Sequence, residues 1–175
     1  MSASPLLSVA LICLAWPAQF LGAGYIAHRL PRRLFFAAPP RGGVPPQGRQ
    51  TGGDHLRCRM RLWLYHRVLH IRRWKDLLPE AGALFPGGFA KGSLASGEAD
   101  YLRVFAAETR RAEFSHWLTI ALTVHFFLWL ELPIAMVMPP LALVGNLPFI
   151  LTQRYNRLRL LRTAQSAERT RSEAG

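Results

Sequence analysis

Three stretches of the chain are apolar and almost free of charge, and basic, patterned segments separate them. Pro5 to Ala27 is nearly all apolar over about 23 residues, enough for a helix to cross a bilayer. Ser115 to Leu130 is a shorter run that borrows turns from Glu113 and Phe114. Ile134 to Leu151 is a third, interrupted by Pro139-Pro140 and again by Gly145, Asn146 and Pro148. Between the first two, Leu56 to Leu78 changes character. Met60, Leu64, Val68, Ile71 and Leu78 fall near one helical face, and Arg57, Arg61, Arg72 and Lys75 lie elsewhere, with Trp63 and Trp74 along the helix. This is the pattern of a basic amphipathic helix lying in a membrane surface, stopped by Pro79. From Glu98 to Glu113, Tyr101, Val104, Phe105 and Glu108 keep a 3–4 rhythm, which predicts a helix running straight into the second apolar stretch. The pattern predicts an all-α integral membrane protein with about three transmembrane helices plus a basic amphipathic interfacial helix.

The chain then divides into five segments. Residues 1–28 form an N-terminal transmembrane helix or signal anchor, retained rather than cleaved because no basic region precedes it and the run is long for a signal peptide. Residues 29–55 hold a linker rich in Pro and Gly from Pro39 to Gly53. Residues 56–114 hold the amphipathic helices and a Gly-rich loop, Phe85 to Gly92, whose backbone amides and Lys91 make a weak phosphate cradle without a P-loop pattern. Residues 115–153 form a transmembrane hairpin, and 154–175 a basic tail that ends frayed and solvated.

Charge sharpens this reading. Of the 22 Lys and Arg residues, sixteen lie from Arg29 to Arg111 and six from Arg154 to Arg171. None lies in 1–28 or 112–153. A bilayer imposes such a partition, because it excludes cations from spans and leaves them in the flanks. The positive-inside rule places the N-terminus outside and the polar chain from Arg29 onward on the cytoplasmic side of the cell membrane. A net charge of +12 invites a nucleic-acid reading. The chain has no nucleic-acid motif and its apolar runs are too long, so anionic lipid headgroups or substrate phosphates are the expected partners. Cys13 and Cys58 suggest neither a disulfide framework nor a zinc site.

Candidate chemistry concentrates at Glu108-Thr109-Arg110-Arg111-Ala112-Glu113-Phe114-Ser115-His116-Trp117. Thr109, Glu113 and His116 share one helical face, and Glu108 and Arg111 are placed to pair. Titratable groups at the mouth of a membrane span are a functional hypothesis by default. The same residues also fit an interfacial anchor built with Trp117. His66 and His70 are four apart, a metal-pair spacing that more often marks a polar face. Asn146 at membrane depth needs a hydrogen-bond partner. Beyond it, Arg154 with Arg157 and Arg159 with Arg162 read either as a positive stop with a Tyr155 anchor or as guanidinium forks for an anion. A two-span hairpin brings the Glu113–Trp117 and Gln153–Arg159 clusters to one membrane face, where Trp74-Lys75 also lies.

In three of these clusters the chain resembles the glycosyl-4,4'-diaponeurosporenoate acyltransferase family, which acylates a glucosylated carotenoid acid in staphyloxanthin-type pigment synthesis. The matching pieces are Arg73-Trp74-Lys75, then Glu108-Thr109-Arg110-Arg111-Ala112-Glu113 with His116-Trp117, then Asn146 and Pro148 followed by Gln153-Arg154-Tyr155-Asn156-Arg157 and Arg159. Order and approximate spacing agree from Arg73 to the end of the basic tail, while the Pro/Gly linker and Gly-rich loop depart from the staphylococcal form. The resemblance implies transfer of a fatty acyl group from an acyl thioester, acyl-CoA or an acyl carrier, to a sugar hydroxyl of a glycolipid acceptor, with no cofactor. His116 is then the general base and Glu113 or Glu108 its orienter. Arg110, Asn156 or Asn146 would donate to the oxyanion. Arg154, Arg157, Arg159, Arg73 and Lys75 would hold the donor's phosphates, with Trp74, Arg111, Gln153 and Tyr155 completing the substrate-binding strings.

Two other classes fit the residues. Glu113 and His116 have the spacing of a carboxylate–histidine metal pair, with Glu108, His66 and His70 as further ligands. A small basic membrane protein also fits a non-catalytic scaffold for other lipid enzymes. Three spans are few for two lipid substrates, so a homo-oligomer or a partner enzyme of the same pathway is expected.

Overall fold

The structure, a computed structural model, describes residues 5–36, 59–78 and 97–173. Among these residues all regular structure is helical. Three long helices dominate: α1 (Pro5–Arg29), α2 (Ala99–Leu122) and α3 (Leu132–Glu173). The Pro/Gly linker, Cys58 and the Gly-rich loop lie outside the described residues.

The chain folds into two compact units. One comprises Met1–Leu30 with Arg111–Leu151, the other Pro31–Arg110 with Thr152–Gly175. Helices α2 and α3 each contribute to both.

The first unit gathers the three apolar stretches. Leu30 before Pro31 ends α1, because the proline ring disfavours a helical residue ahead of it. Its inward face is Gln19, Ala23 and Ala27, spaced by four, and the two alanines let neighbouring backbone approach. Trp16 packs on Phe126 with ring centroids 5.7 Å apart, and Ile12 and Ala15 join it against Phe126, Leu130, Ala135 and Met138. Leu6, Leu14 and Leu21 on α1, and Met136, Val137 and Val144 on α3, remain exposed.

Two helices among the described residues, α1 and α3, are long and apolar enough to cross a membrane. The expected middle span, Ser115 to Leu130, does not form a third helix of that kind. It is divided between the end of α2 and a 3-10 turn, Thr123–Leu128. Local hydrogen bonding accounts for part of the change. Thr123 donates its hydroxyl to the Ile120 carbonyl at 2.6 Å, and His125 Nδ1 approaches the Leu122 carbonyl at 2.7 Å. These bonds compete for carbonyls that would continue the α-helical ladder.

In the second unit Leu102, Phe105 and Ala106 of α2 pack against Leu160 and Ala164 of α3. Arg103 bridges to Glu168. The expected frayed tail is therefore helix through Glu173, because its apolar positions have a partner surface. The amphipathic helix expected over Leu56 to Leu78 is broken. Residues 59–63 are helical, Leu64–Val68 is a π-helical turn, His70 sits at φ 46°, and Ile71–Trp74 and Lys75–Leu77 are single turns. A left-handed residue cannot continue a right-handed helix. Of the predicted apolar face Ile71 is buried and Leu78 half-buried, whereas Met60, Leu64 and Val68 are exposed, and Leu62 and Tyr65 are buried in their place.

Candidate active site

Polar residues of α2 and the first residue of the 3-10 turn after it form one buried stripe. Thr109, Glu113, His116, Thr119 and Thr123 follow each other at steps of three and four, and all are buried. The first three are the face read from the sequence. The continuation through Thr119 and Thr123 was missed, although the same spacing extends to them. The threonine hydroxyls are satisfied within the helix, Thr109 by the Ala106 carbonyl at 2.7 Å and Thr119 by that of Ser115 at 2.9 Å.

At the centre of the first unit His116 is 7% exposed. Its ring stacks on Phe149 with centroids 4.9 Å apart, and Phe20 lies at 6.0 Å with a tilted ring. Its Nδ1 lies 2.8 Å from Oδ1 of Asn146. Asn146 Nδ2 donates to the Ala142 carbonyl at 2.9 Å. That second bond fixes which end of the amide is which, since only the nitrogen can donate to a carbonyl. Oδ1 must then accept, so Nδ1 carries the hydrogen. In the neutral ring Nε2 is the nitrogen that takes a proton. A neutral imidazole held this way can accept a proton at Nε2 from a hydroxyl brought within hydrogen-bond reach. Asn146, a polar residue in need of a partner and on the resemblance a candidate oxyanion donor, here bonds His116 of the neighbouring helix.

Glu113 is buried, and Oε1 accepts from Trp117 Nε1 at 3.4 Å. Gln19 of α1, not singled out from the sequence, is also buried here, and its Nε2 donates to the Thr119 carbonyl at 2.6 Å. The signal was available, as a glutamine within an apolar run.

The other expected site residues, Arg111 apart, belong to the second unit. Glu108 accepts from Arg32 Nε at 3.0 Å, and Arg110 donates to the Phe35 carbonyl at 3.3 Å, so two expected site residues also hold the segment that follows α1. Tyr155 is almost fully buried, with its hydroxyl 3.0 Å from His66 Nε2 and its ring near Tyr65. Arg159 lies over the Tyr155 ring at 5.8 Å. Gln153 is buried, Asn156 and Arg157 are half-buried, and Arg154 is exposed. Arg73 is exposed, Lys75 pairs with Asp76, and Trp74 donates to the Leu69 carbonyl at 2.8 Å. Arg111 is half-buried in the first unit.

His66 and His70 lose their common face where His70 turns left-handed, and His66 engages Tyr155. Among the described residues no three His, Cys, Asp or Glu side chains gather as a metal site.

Residues 54–166 match the sequence profile of the glycosyl-4,4'-diaponeurosporenoate acyltransferase family, CrtO. A protein of that name from Staphylococcus haemolyticus (strain JCSC1435) is 34% identical over 97 residues, covering 55% of this chain and 56% of that protein. One from Staphylococcus aureus (strain N315) is 28% identical over 96 residues, covering 55% of this chain and 58% of that protein. The chain thus spans about half the length of the curated relatives it matches. No solved structure matches it. The matched residues include both His116 and Asn146, and on this profile the chain belongs to the glycosyl-4,4'-diaponeurosporenoate acyltransferase family.

Proposed function

We propose that this chain is a membrane-bound acyltransferase. It moves a fatty acyl group from an acyl thioester to a sugar hydroxyl of a glycosylated carotenoid or related glycolipid. The observation that carries the reading is the Ala142–Asn146–His116 hydrogen-bond chain, which assigns Nε2 as the proton-accepting nitrogen in a family named for acyl transfer. His116 Nε2 takes the hydroxyl proton as the sugar oxygen attacks the thioester carbonyl. The tetrahedral intermediate then expels the thiolate, which takes the proton from the imidazolium. Glu113 supports the base from one turn earlier on the same helix, and the arginines at 154, 157 and 159 hold the phosphates of acyl-CoA or an acyl carrier.

The membrane placement rests on where polarity sits. Only 11% of the apolar window in α1 and 28% of that in α3 is buried, whereas the core helix of a soluble protein is mostly buried. Polar Gln19, Glu113, His116, Thr119, Thr123 and Asn146 lie inside, and leucines and valines lie outside. That inversion suits lipid as the surrounding solvent. The charge partition supports a multi-pass placement in the cell membrane with the arginine-rich segments on the cytoplasmic side.

The test is expression in a host that makes the glucosylated carotenoid acid but lacks its acyltransferase. Wild type is expected to produce the fatty ester, and His116→Ala, at equal membrane abundance, is not. Ester formation by His116→Ala would reduce His116 to an anchor, and no ester from either would leave the scaffold reading in front.

A further inference from the structure

Gln19 poses a question that the proposed chemistry leaves open. It lies in the middle of α1, outside the residues that match the family profile. It is 8% exposed, on the same face as Ala23 and Ala27. Nε2 donates to the Thr119 carbonyl at 2.6 Å, which fixes the amide's orientation. Oε1 is therefore an acceptor, and among the described residues it is buried with no hydrogen-bond partner. A buried acceptor left unmet is destabilising, so one that persists at membrane depth points to a group that meets it.

Its neighbours locate that group. Phe20, the next residue, lies 6.0 Å from the His116 ring, and Thr119 is three residues beyond His116 on α2. Gln19 and His116 thus belong to one cluster within the first unit. We propose that Gln19 Oε1 is a substrate-binding acceptor that receives a hydrogen bond from a hydroxyl of the sugar being acylated. The reacting hydroxyl points its proton at His116 Nε2, and Gln19 takes the proton of a neighbouring hydroxyl on the same ring. This rests on the acyltransferase reading for the identity of the ligand. An O–H or N–H of the acyl donor offers the same chemistry, so the test separates the two sources.

The experiment uses the full chain in lipid nanodiscs with hexadecyl β-D-glucoside, hexadecanol and palmitoyl-CoA as separate probes. Each is titrated by tryptophan fluorescence against wild type and Gln19→Met, which matches the side-chain length without the amide. Ester formation is read in parallel. Wild type is expected to bind the glucoside at least tenfold more tightly than the alcohol. Gln19→Met should lose most of that ratio while binding hexadecanol and palmitoyl-CoA as wild type does. If Gln19→Met does not reach the membrane, Gln19→Asn serves, since a side chain one methylene shorter cannot both anchor on Thr119 and present its oxygen. A ratio unchanged by the substitution, or no preference for the glucoside in wild type, overturns the proposal, and so does a loss confined to palmitoyl-CoA. Glucoside preference lost at Gln19 with no ester formed by wild type would sustain the binding role and sink the acyltransferase reading instead.

Discussion

His116 Nδ1 donates to Asn146 Oδ1 at 2.8 Å, a bond between residues thirty apart in sequence that ties α2 to α3 inside the first unit. If His116 is the base and Asn146 its orienter, their substitutions should differ in kind. His116→Ala removes the proton acceptor and is expected to lower the single-turnover rate by about 10²–10⁴. Asn146→Ala leaves the base in place but removes what fixes its tautomer. It should lower the rate by roughly ten- to a hundredfold, the equivalent of the ~1–3 kcal/mol associated with a buried donor left unmet. The double variant should be no worse than His116→Ala alone, because both act through one imidazole ring. Additive losses would mean that Asn146 acts elsewhere, such as on the oxyanion.

Glu108 separates a structural from a chemical role. Its carboxylate meets Arg32, whose side chain is 51% exposed, so the pair is worth only about 0–1 kcal/mol. Glu108→Gln is expected to keep ester formation within about threefold of wild type and to change the unfolding midpoint little. A loss of two orders of magnitude at unchanged stability would instead restore Glu108 to the chemistry beside His116.

How far these relationships were readable in advance depended on their range. The stripe Thr109, Glu113, His116 was legible because helical spacing fixes a shared face from local sequence. Asn146 was legible as a polar residue in need of a partner, but the partner was not, because packing of α2 on α3 chose it. Pattern misled at His70. Met60, Leu64 and Val68 have helical periodicity with Ile71, yet a left-handed residue breaks the segment, and Leu62 and Tyr65 turn inward while Ile71 alone of these four is buried. Such a backbone reversal leaves no trace in hydrophobic spacing. The helix beyond Leu151 was misread for the opposite reason. Leu160 and Ala164 look isolated among arginines until Leu102, Phe105 and Ala106 are set against them.

Tyr155 anchors the second unit through both its ring and its hydroxyl. Tyr155→Phe removes only the hydrogen bond to His66 and should lower stability by ~1 kcal/mol. Tyr155→Ala also removes a nearly buried ring, and ~3–5 kcal/mol is expected, read from denaturant unfolding in detergent. His66→Phe combined with Tyr155→Phe should be less than additive, since the two share one bond. If Tyr155→Phe instead raises KM for the acyl donor at unchanged stability, the hydroxyl serves substrate rather than fold.

The arginines after Gln153 present the last choice, between a positive stop on a membrane helix and a site for phosphates. Both readings place cations near anions, but they respond differently to salt and to side-chain geometry. A stop signal requires charge alone, so Arg159→Lys should be silent under it. A phosphate site uses the planar guanidinium fork, which an ammonium cannot reproduce. Arg159 already lies over the Tyr155 ring, which limits where its guanidinium can point. Arg154→Ala and Arg159→Lys are each expected to raise KM for palmitoyl-CoA about three- to tenfold, with kcat and membrane topology unchanged. That KM should rise further between 50 mM and 500 mM salt, because the screening length shortens to a few ångströms over that range. A KM that ignores both salt and Arg159→Lys would assign the arginines to the lipid headgroups and move the donor's phosphates elsewhere.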